Sequence, residues 1–195
     1  MNRSHRCLLT DRDRNLNEEK VRTLVSKFAA ALRIPTPNTR LSKITKAPCY
    51  DPVFNRIELS EKFLELPDQI VMFILAHEVG HAAQRRTLLL DLLKTGLSTA
   101  SLVAVTWIFL ASLPPDAPWR LVVALAVFPP TYAAYLKLAS LRQTKHDLAL
   151  ELDADRKAAM LCGPEATLAA LDCLSNYALI REDRLAALRA GIGRA

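Results

Sequence analysis

Residues Gly96 to Leu113 (GLSTASLVAVTWIFLASL) carry no charge over 18 positions. As a helix rising about 1.5 Å per residue they extend roughly 27 Å, close to the ~30 Å hydrocarbon core of a bilayer. The turn PPDAPWR follows, and Leu121 to Ala139 is apolar again except for Lys137. Neither segment has a polar face with which to meet water. The pair therefore reads as a transmembrane helical hairpin, with Trp119, Tyr132 and Tyr135 as interface anchors. The competing reading is a buried hairpin of a soluble protein. Pro129 and Pro130 should kink the second arm, which membrane helices tolerate where neighbours satisfy the freed carbonyls.

The rest of the chain is different in character. Hydrophobic residues make up 51% of the sequence while 24% are charged, so the apolar residues are concentrated rather than spread. A length of 195 residues suits a single domain, 1–195, interrupted by the hairpin 96–139 with spans at 96–113 and 121–139. The net charge of +6 points to nucleic acid or to an anionic membrane surface. No aromatic-basic interleaving is present, so the expected partner is the lipid bilayer and not nucleic acid. Arg85, Arg86 and Lys94 precede the hairpin and Lys137, Arg142 and Lys145 follow it, whereas the turn has Arg120 beside Asp116. The positive-inside rule then puts both termini and the bulk of the chain in the cytoplasm, in a multi-pass protein of the cell (inner) membrane. MNRSHRCLLTDRDRN at the N-terminus lacks the apolar run of a secretory signal. Cys7, Cys49, Cys162 and Cys173 are widely spaced, as free thiols of a reducing compartment would be.

Helical spacing of Val21, Leu24, Val25, Phe28, Ala29 and Leu32 predicts a helix from an Asn17 cap to Arg33, stopped by IPTP. Extended pieces at 40–44 and 56–59, around the turn-rich APCYDPVFN, predict a small hairpin or two-stranded edge. Ser60 opens a short helical turn, and Pro67 suits the first position of a longer helix. Ile70, Val71, Phe73, Ile74, Ala76 and Val79 make that helix apolar on most sides, hence buried. Beyond the hairpin, TKHDLALELDADRKAAMLC reads as a helix, Gly163 punctuates it, and Pro164 starts another running roughly to Arg189.

The buried helix carries FILAHEVGHAAQRR, in which His77 and His81 are two of four histidines in the chain. Four residues turn about 400° along a helix, so both imidazoles leave from nearly one face and can reach one Zn²⁺. Glu78, turned about 100° away, suits a general base acting on zinc-bound water better than a third ligand. Gly80 is expected to leave room between the histidines. The bland alternative is a pair of core histidines bonded to carbonyls. A catalytic zinc takes three protein ligands and keeps one open position. Asp147, Glu151 and Asp155 share a helix face and each is a candidate, unless the run is simply a solvated acidic face.

AHEVGH followed, past an apolar hairpin, by ELDAD resembles the membrane zinc metallopeptidases of the HtpX and CAAX-prenyl-protease type, gluzincins whose pattern is H-E-x-x-H, a membrane segment, then E-x-x-A-D. The stretch CYDPVFNRIELSEKF…ILAHEVGHAAQ is also similar to bacterial neutral zinc metallopeptidases of the YugP type. The resemblance covers about residues 40–160. It implies His77, His81 and Glu151 as ligands of one zinc per chain, Glu78 as catalytic base, and Asp155 as the carboxylate orienting a ligand histidine. It also implies that the strand at Arg56–Leu59 is an edge to which a peptide adds. The membrane segment that those families place before the motif has no counterpart here, which leaves anchorage to the one hairpin. Candidate donors to the oxyanion are His146, Arg156 and Tyr50.

The expected fold is therefore a mainly α (α+β) zincin-like catalytic domain with a short β-hairpin, plus a transmembrane helical hairpin. The expected function is a membrane-anchored zinc endopeptidase acting on peptide or protein substrates near the membrane. A membrane adaptor with a structural or vestigial zinc site, and a zinc amidase with a non-protein substrate, are the alternatives.

Overall fold

The computed structural model describes residues 18–42, 47–112, 114, 119–176, 186 and 190. They form α1 (Glu18–Ala31), β1 (Asn38–Ser42), β2 (Cys49–Asp51), β3 (Arg56–Ser60), a 3-10 turn (Glu61–Glu65), α2 (Asp68–Ala83), α3 (Arg85–Ser112), α4 (Arg120–Cys162) and α5 (Pro164–Asn176). His5, Cys7, the expected cap Asn17, the end of the expected strand 40–44, most of the turn between the apolar segments and the helix continuation to Arg189 lie outside the described residues. The chain divides into two compact units, one of Met1–Arg86 with Leu148–Ala195 and the other of Thr87–Asp147.

In the first unit α1 buries Val21, Val25, Phe28 and Ala29, the stripe its spacing predicts. It ends before IPTP is reached. Arg33 takes a left-handed conformation (φ 54°), and the amides of Arg33 and Ile34 bond back to Ala30 O and Ala29 O. This double bond satisfies carbonyls of the last turn that would otherwise be orphaned. Ser60 leads into the short 3-10 turn as expected, but Pro67 is the cap of α2 and not its first residue. A proline there sacrifices no helical hydrogen bond, while its carbonyl accepts from Ile70 and Val71. Eleven of the sixteen residues of α2 are buried, so the helix sits inside the core rather than on it. Its Ile70, Val71, Leu75 and Val79 share the core with Val21, Val25, Ile57, Leu59 and Leu171, each at most 2% exposed.

The sheet departs from the two-stranded expectation. It has three strands in the order β1-β3-β2, with β1 parallel and β2 antiparallel to β3. CYD, read as part of a turn-rich connection, is itself β2. Proline follows it directly, and the turn closes as Asp51 Oδ1 accepts the amides of Val53 and Phe54 at 2.9 and 3.2 Å. Asn55 (φ 48°) then reverses the chain. Both β2 and β3 are short because turn chemistry truncates them, and alternation over three residues is too brief to stand out in sequence. The consequence for β3 is a correction: Arg56–Leu59 lies in the central strand and offers no edge, having partners on both sides.

In the second unit α3 contributes no buried residue, and Leu97, Val105, Trp107 and Ile108 are each more than half exposed. Among the described residues α3 is the one helix long and apolar enough to cross a membrane, judged by length and composition. The second expected span, 121–139, is not a helix of its own. It is the first part of α4, a continuous helix of 43 residues that contains Pro129 and Pro130 and goes on to carry ELDAD. No charged turn separates this apolar part from the acidic segment.

Candidate metal centre

α2 and the last part of α4 supply the site, and their closeness depends on Gly80. A Cβ on Gly80 would lie 3.0 Å from Ala154 Cα and O, so the missing side chain makes room for α4. This corrects the expectation that Gly80 serves the spacing between the histidines. The contact lies within one helical turn of Glu151 and of both histidines, and it brings residues about seventy positions apart together.

His77 and His81 face each other, ring centroids 4.6 Å apart, with their Nε2 atoms separated by 3.1 Å. Glu151 reaches both, Oε2 at 3.4 Å from His77 Nε2 and Oε1 at 3.3 Å from His81 Nε2. Ligand atoms of the three residues lie within 4.8 Å of one another. A tetrahedral zinc with bonds of about 2.0–2.1 Å holds its ligand atoms about 3.3 Å apart, so this donor set fits a metal. Two imidazole nitrogens and a carboxylate with no cation between them would otherwise be poorly matched: without a shared proton the nitrogen lone pairs oppose each other.

Asp155, completely buried, places Oδ1 2.9 Å from His77 Nδ1. Burial alone would lower the His77 pKa, but the bonds to Asp155 and Glu151 outweigh it and raise it to about 9. Glu78 is buried, and burial pushes its carboxyl pKa up, against the opposing pull of His77 and His81. The Tyr50 main-chain amide donates to this carboxylate. Glu78 Oε2 has no hydrogen-bond partner among the described residues. A buried carboxylate oxygen left open beside a cluster of metal-binding groups is suited to a water or to an incoming reactant.

The other candidates fall elsewhere. Asp147 is exposed and belongs to the second unit. His146 is in that unit too, its Nε2 2.6 Å from Asp91 Oδ2. Arg156 is exposed on α4. The Tyr50 hydroxyl donates to Asn55 Oδ1 at 2.8 Å, so Tyr50 serves Glu78 through its main chain, a contact that no side-chain motif announces. The edge strand beside Glu78 is β2, not β3. Gln84, the C-cap of α2, was missed as well; its Oε1 lies 3.2 Å from His81 Nδ1. Its place one turn after His81 is the signal that could have singled it out.

Two histidines one turn apart on a helix, a carboxylate from a second helix and a buried glutamate with a free oxygen make up the donor set of a metal-dependent hydrolase. The model of peptidase family M48 matches residues 15–177, and the chain belongs to that family. Membership makes it, by class, a metal-dependent peptidase. No curated protein and no solved structure matches the chain.

Proposed function

We propose that the protein is a membrane-anchored zinc endopeptidase of the HtpX and CAAX-prenyl-protease type, with one zinc held by His77, His81 and Glu151. The observation that carries this reading is the convergence of those three side chains beside a Glu78 oxygen with no partner. Bound there, zinc would supply Lewis acidity, polarising a carbonyl and acidifying water. The protein's own groups do the rest. Glu78 removes a proton from the attacking water and returns it to the leaving amine, and burial helps by raising its affinity for that proton. The Tyr50 amide holds the carboxylate so that Oε2 stays available. Asp155 Oδ1, 2.9 Å from His77 Nδ1, would hold the proton on that nitrogen and so direct the opposite one to the ligand position.

A peptide adding to the edge of β2 would bring its backbone alongside Glu78, which favours extended or unfolded substrates over any one sequence. α3 and the apolar part of α4 anchor the enzyme in the cell (inner) membrane, and the basic residues flanking them keep both termini in the cytoplasm. The test is metal analysis of the purified protein combined with casein cleavage, with and without a chelator. Stoichiometric zinc and chelator-sensitive cleavage support the reading. Zinc without cleavage, retained against chelator, would favour a structural site in an adaptor.

A further inference from the structure

His77 has a charged partner on its far nitrogen, and His81 has a neutral one whose direction the structure dictates. Gln84 is 7% exposed at the end of α2. Its Nε2 donates to Leu150 O at 2.9 Å and to Asp153 Oδ2 at 2.6 Å. A peptide carbonyl and a carboxylate are acceptors only, so the amide nitrogen has to be on that side. Asp153 is itself held by Lys157, one helical turn further on. The amide oxygen is thereby turned towards His81 Nδ1, 3.2 Å away. An amide oxygen accepts a hydrogen bond and cannot donate one, so His81 carries its hydrogen on Nδ1. Its Nε2 is then left as a lone pair among His77 Nε2 and Glu151 Oε1, at 3.1 and 3.3 Å.

We propose that Gln84 is the positioning residue of His81, fixing its Nδ1–H tautomer and ring direction so that Nε2 is presented to the metal, with Leu150 O, Asp153 and Lys157 locking the amide in that sense. The role rests on the reading of His77 and His81 as metal ligands. The two histidines would thus be oriented by different chemistry. Asp155 brings a negative charge to His77, whereas Gln84 orients His81 and adds none. The neutral choice has a physical reason. A carboxylate at position 84 would face the Asp153 oxygen that Gln84 now approaches at 2.6 Å and the Leu150 carbonyl at 2.9 Å, acceptor against acceptor. The lock also ties the ligand histidine of α2 to the segment of α4 that carries Glu151, so the two ligands share one support.

The experiment uses the full chain in detergent with ¹⁵N-labelled histidine, read by long-range ¹⁵N–¹H correlation in the metal-free protein, together with zinc affinity by chelator competition. The wild type is expected to show His81 with the hydrogen on Nδ1. In Gln84→Leu, His81 should lose that single tautomer while the His77 ring signals hold their positions, and zinc affinity should drop on the order of 10–100-fold. Gln84→Glu, which keeps an acceptor but opposes Asp153, should fall between, and adding Asp153→Asn should recover part of its loss. An Nδ1–H tautomer that survives in Gln84→Leu would overturn the proposal, as would equal disturbance of His77 and His81, the mark of a merely structural residue. The tautomer is read without metal, so it fails or holds independently of the ligand reading, which is judged by zinc binding to the wild type.

Discussion

Replacing Gly80 by alanine probes whether the helix contact sets the metal site. The new Cβ would sit 3.0 Å from Ala154 Cα and O and 3.2 Å from its Cβ. Ordinary carbon contacts lie at about 3.5–4.0 Å, so α2 and α4 must part locally by about 0.5–1 Å. Overpacking of this kind costs about 1–3 kcal/mol, and the better helix propensity of alanine returns about 1 kcal/mol. The net loss of stability is therefore small, about 0–2 kcal/mol. The effect on the site is larger in proportion. Gly80 lies between the two histidines and Ala154 lies three residues beyond Glu151, so the separation opens the 3.3 and 3.4 Å gaps between Glu151 and the imidazoles. Metal sites need their ligands held within about 0.5 Å. Gly80→Ala is expected to weaken zinc at least about tenfold, or about 1.4 kcal/mol, while the metal-free thermal midpoint changes little. Ala154→Gly in the same chain removes the 3.2 Å contact and leaves the 3.0 Å ones, so recovery should be partial. The assay is zinc titration against a chromophoric chelator, beside circular dichroism melting of the metal-free protein. Zinc bound as tightly as in the wild type, together with a raised melting midpoint, would refute the reasoning.

Glu78→Gln should lower casein cleavage by at least about 10²-fold with zinc retained, since the residue is read as base and not ligand; loss of metal in that variant contradicts the assignment. Glu151→Ala should abolish stoichiometric zinc, Asp155→Ala should weaken it about 10–100-fold, and Asp147→Ala should leave it unchanged; equal effects at 147 and 151 would refute the ligand choice. The proton on His77 adds a pH dependence. Its folded pKa of about 9 exceeds the ordinary 6.5, so in the metal-free protein its contribution to stability is full below about 6.5 and is lost as pH rises through about 9. The metal-free melting midpoint should therefore fall between those limits, while zinc, which displaces the proton, should bind about tenfold more tightly per pH unit over the same range; parallel trends would contradict this. Finally, the protein should remain with membranes after carbonate extraction, and recovery as a detergent-free soluble monomer would remove the membrane reading.

Much of the site could be read from the chain because helix geometry is local. His77, Glu78 and His81 are neighbours in sequence, and the 3.6-residue turn settles which of them share a face. The α1 stripe and the buried character of α2 were legible for the same reason, since apolar periodicity is written into consecutive residues. The third donor was not so determined. Asp147, Glu151 and Asp155 share one face of a helix, and spacing treats them alike. Packing separates them: with Ala154 against Gly80, Glu151 meets both imidazoles, Asp155 lies behind His77, and Asp147 is left exposed. The sheet was hidden for a related reason. The parallel partnership of β1 with β3 is non-local, and it moves β3 from the expected edge to the centre, leaving β2 beside Glu78. Gln84 shows the limit most plainly. Nothing in a single glutamine states which way its amide points. Only a carbonyl and a carboxylate brought up by α4, 66 and 69 residues away, decide that its oxygen faces His81. Local periodicity determines which side chains leave a helix together, but which groups meet them across a core is a property of the packed fold.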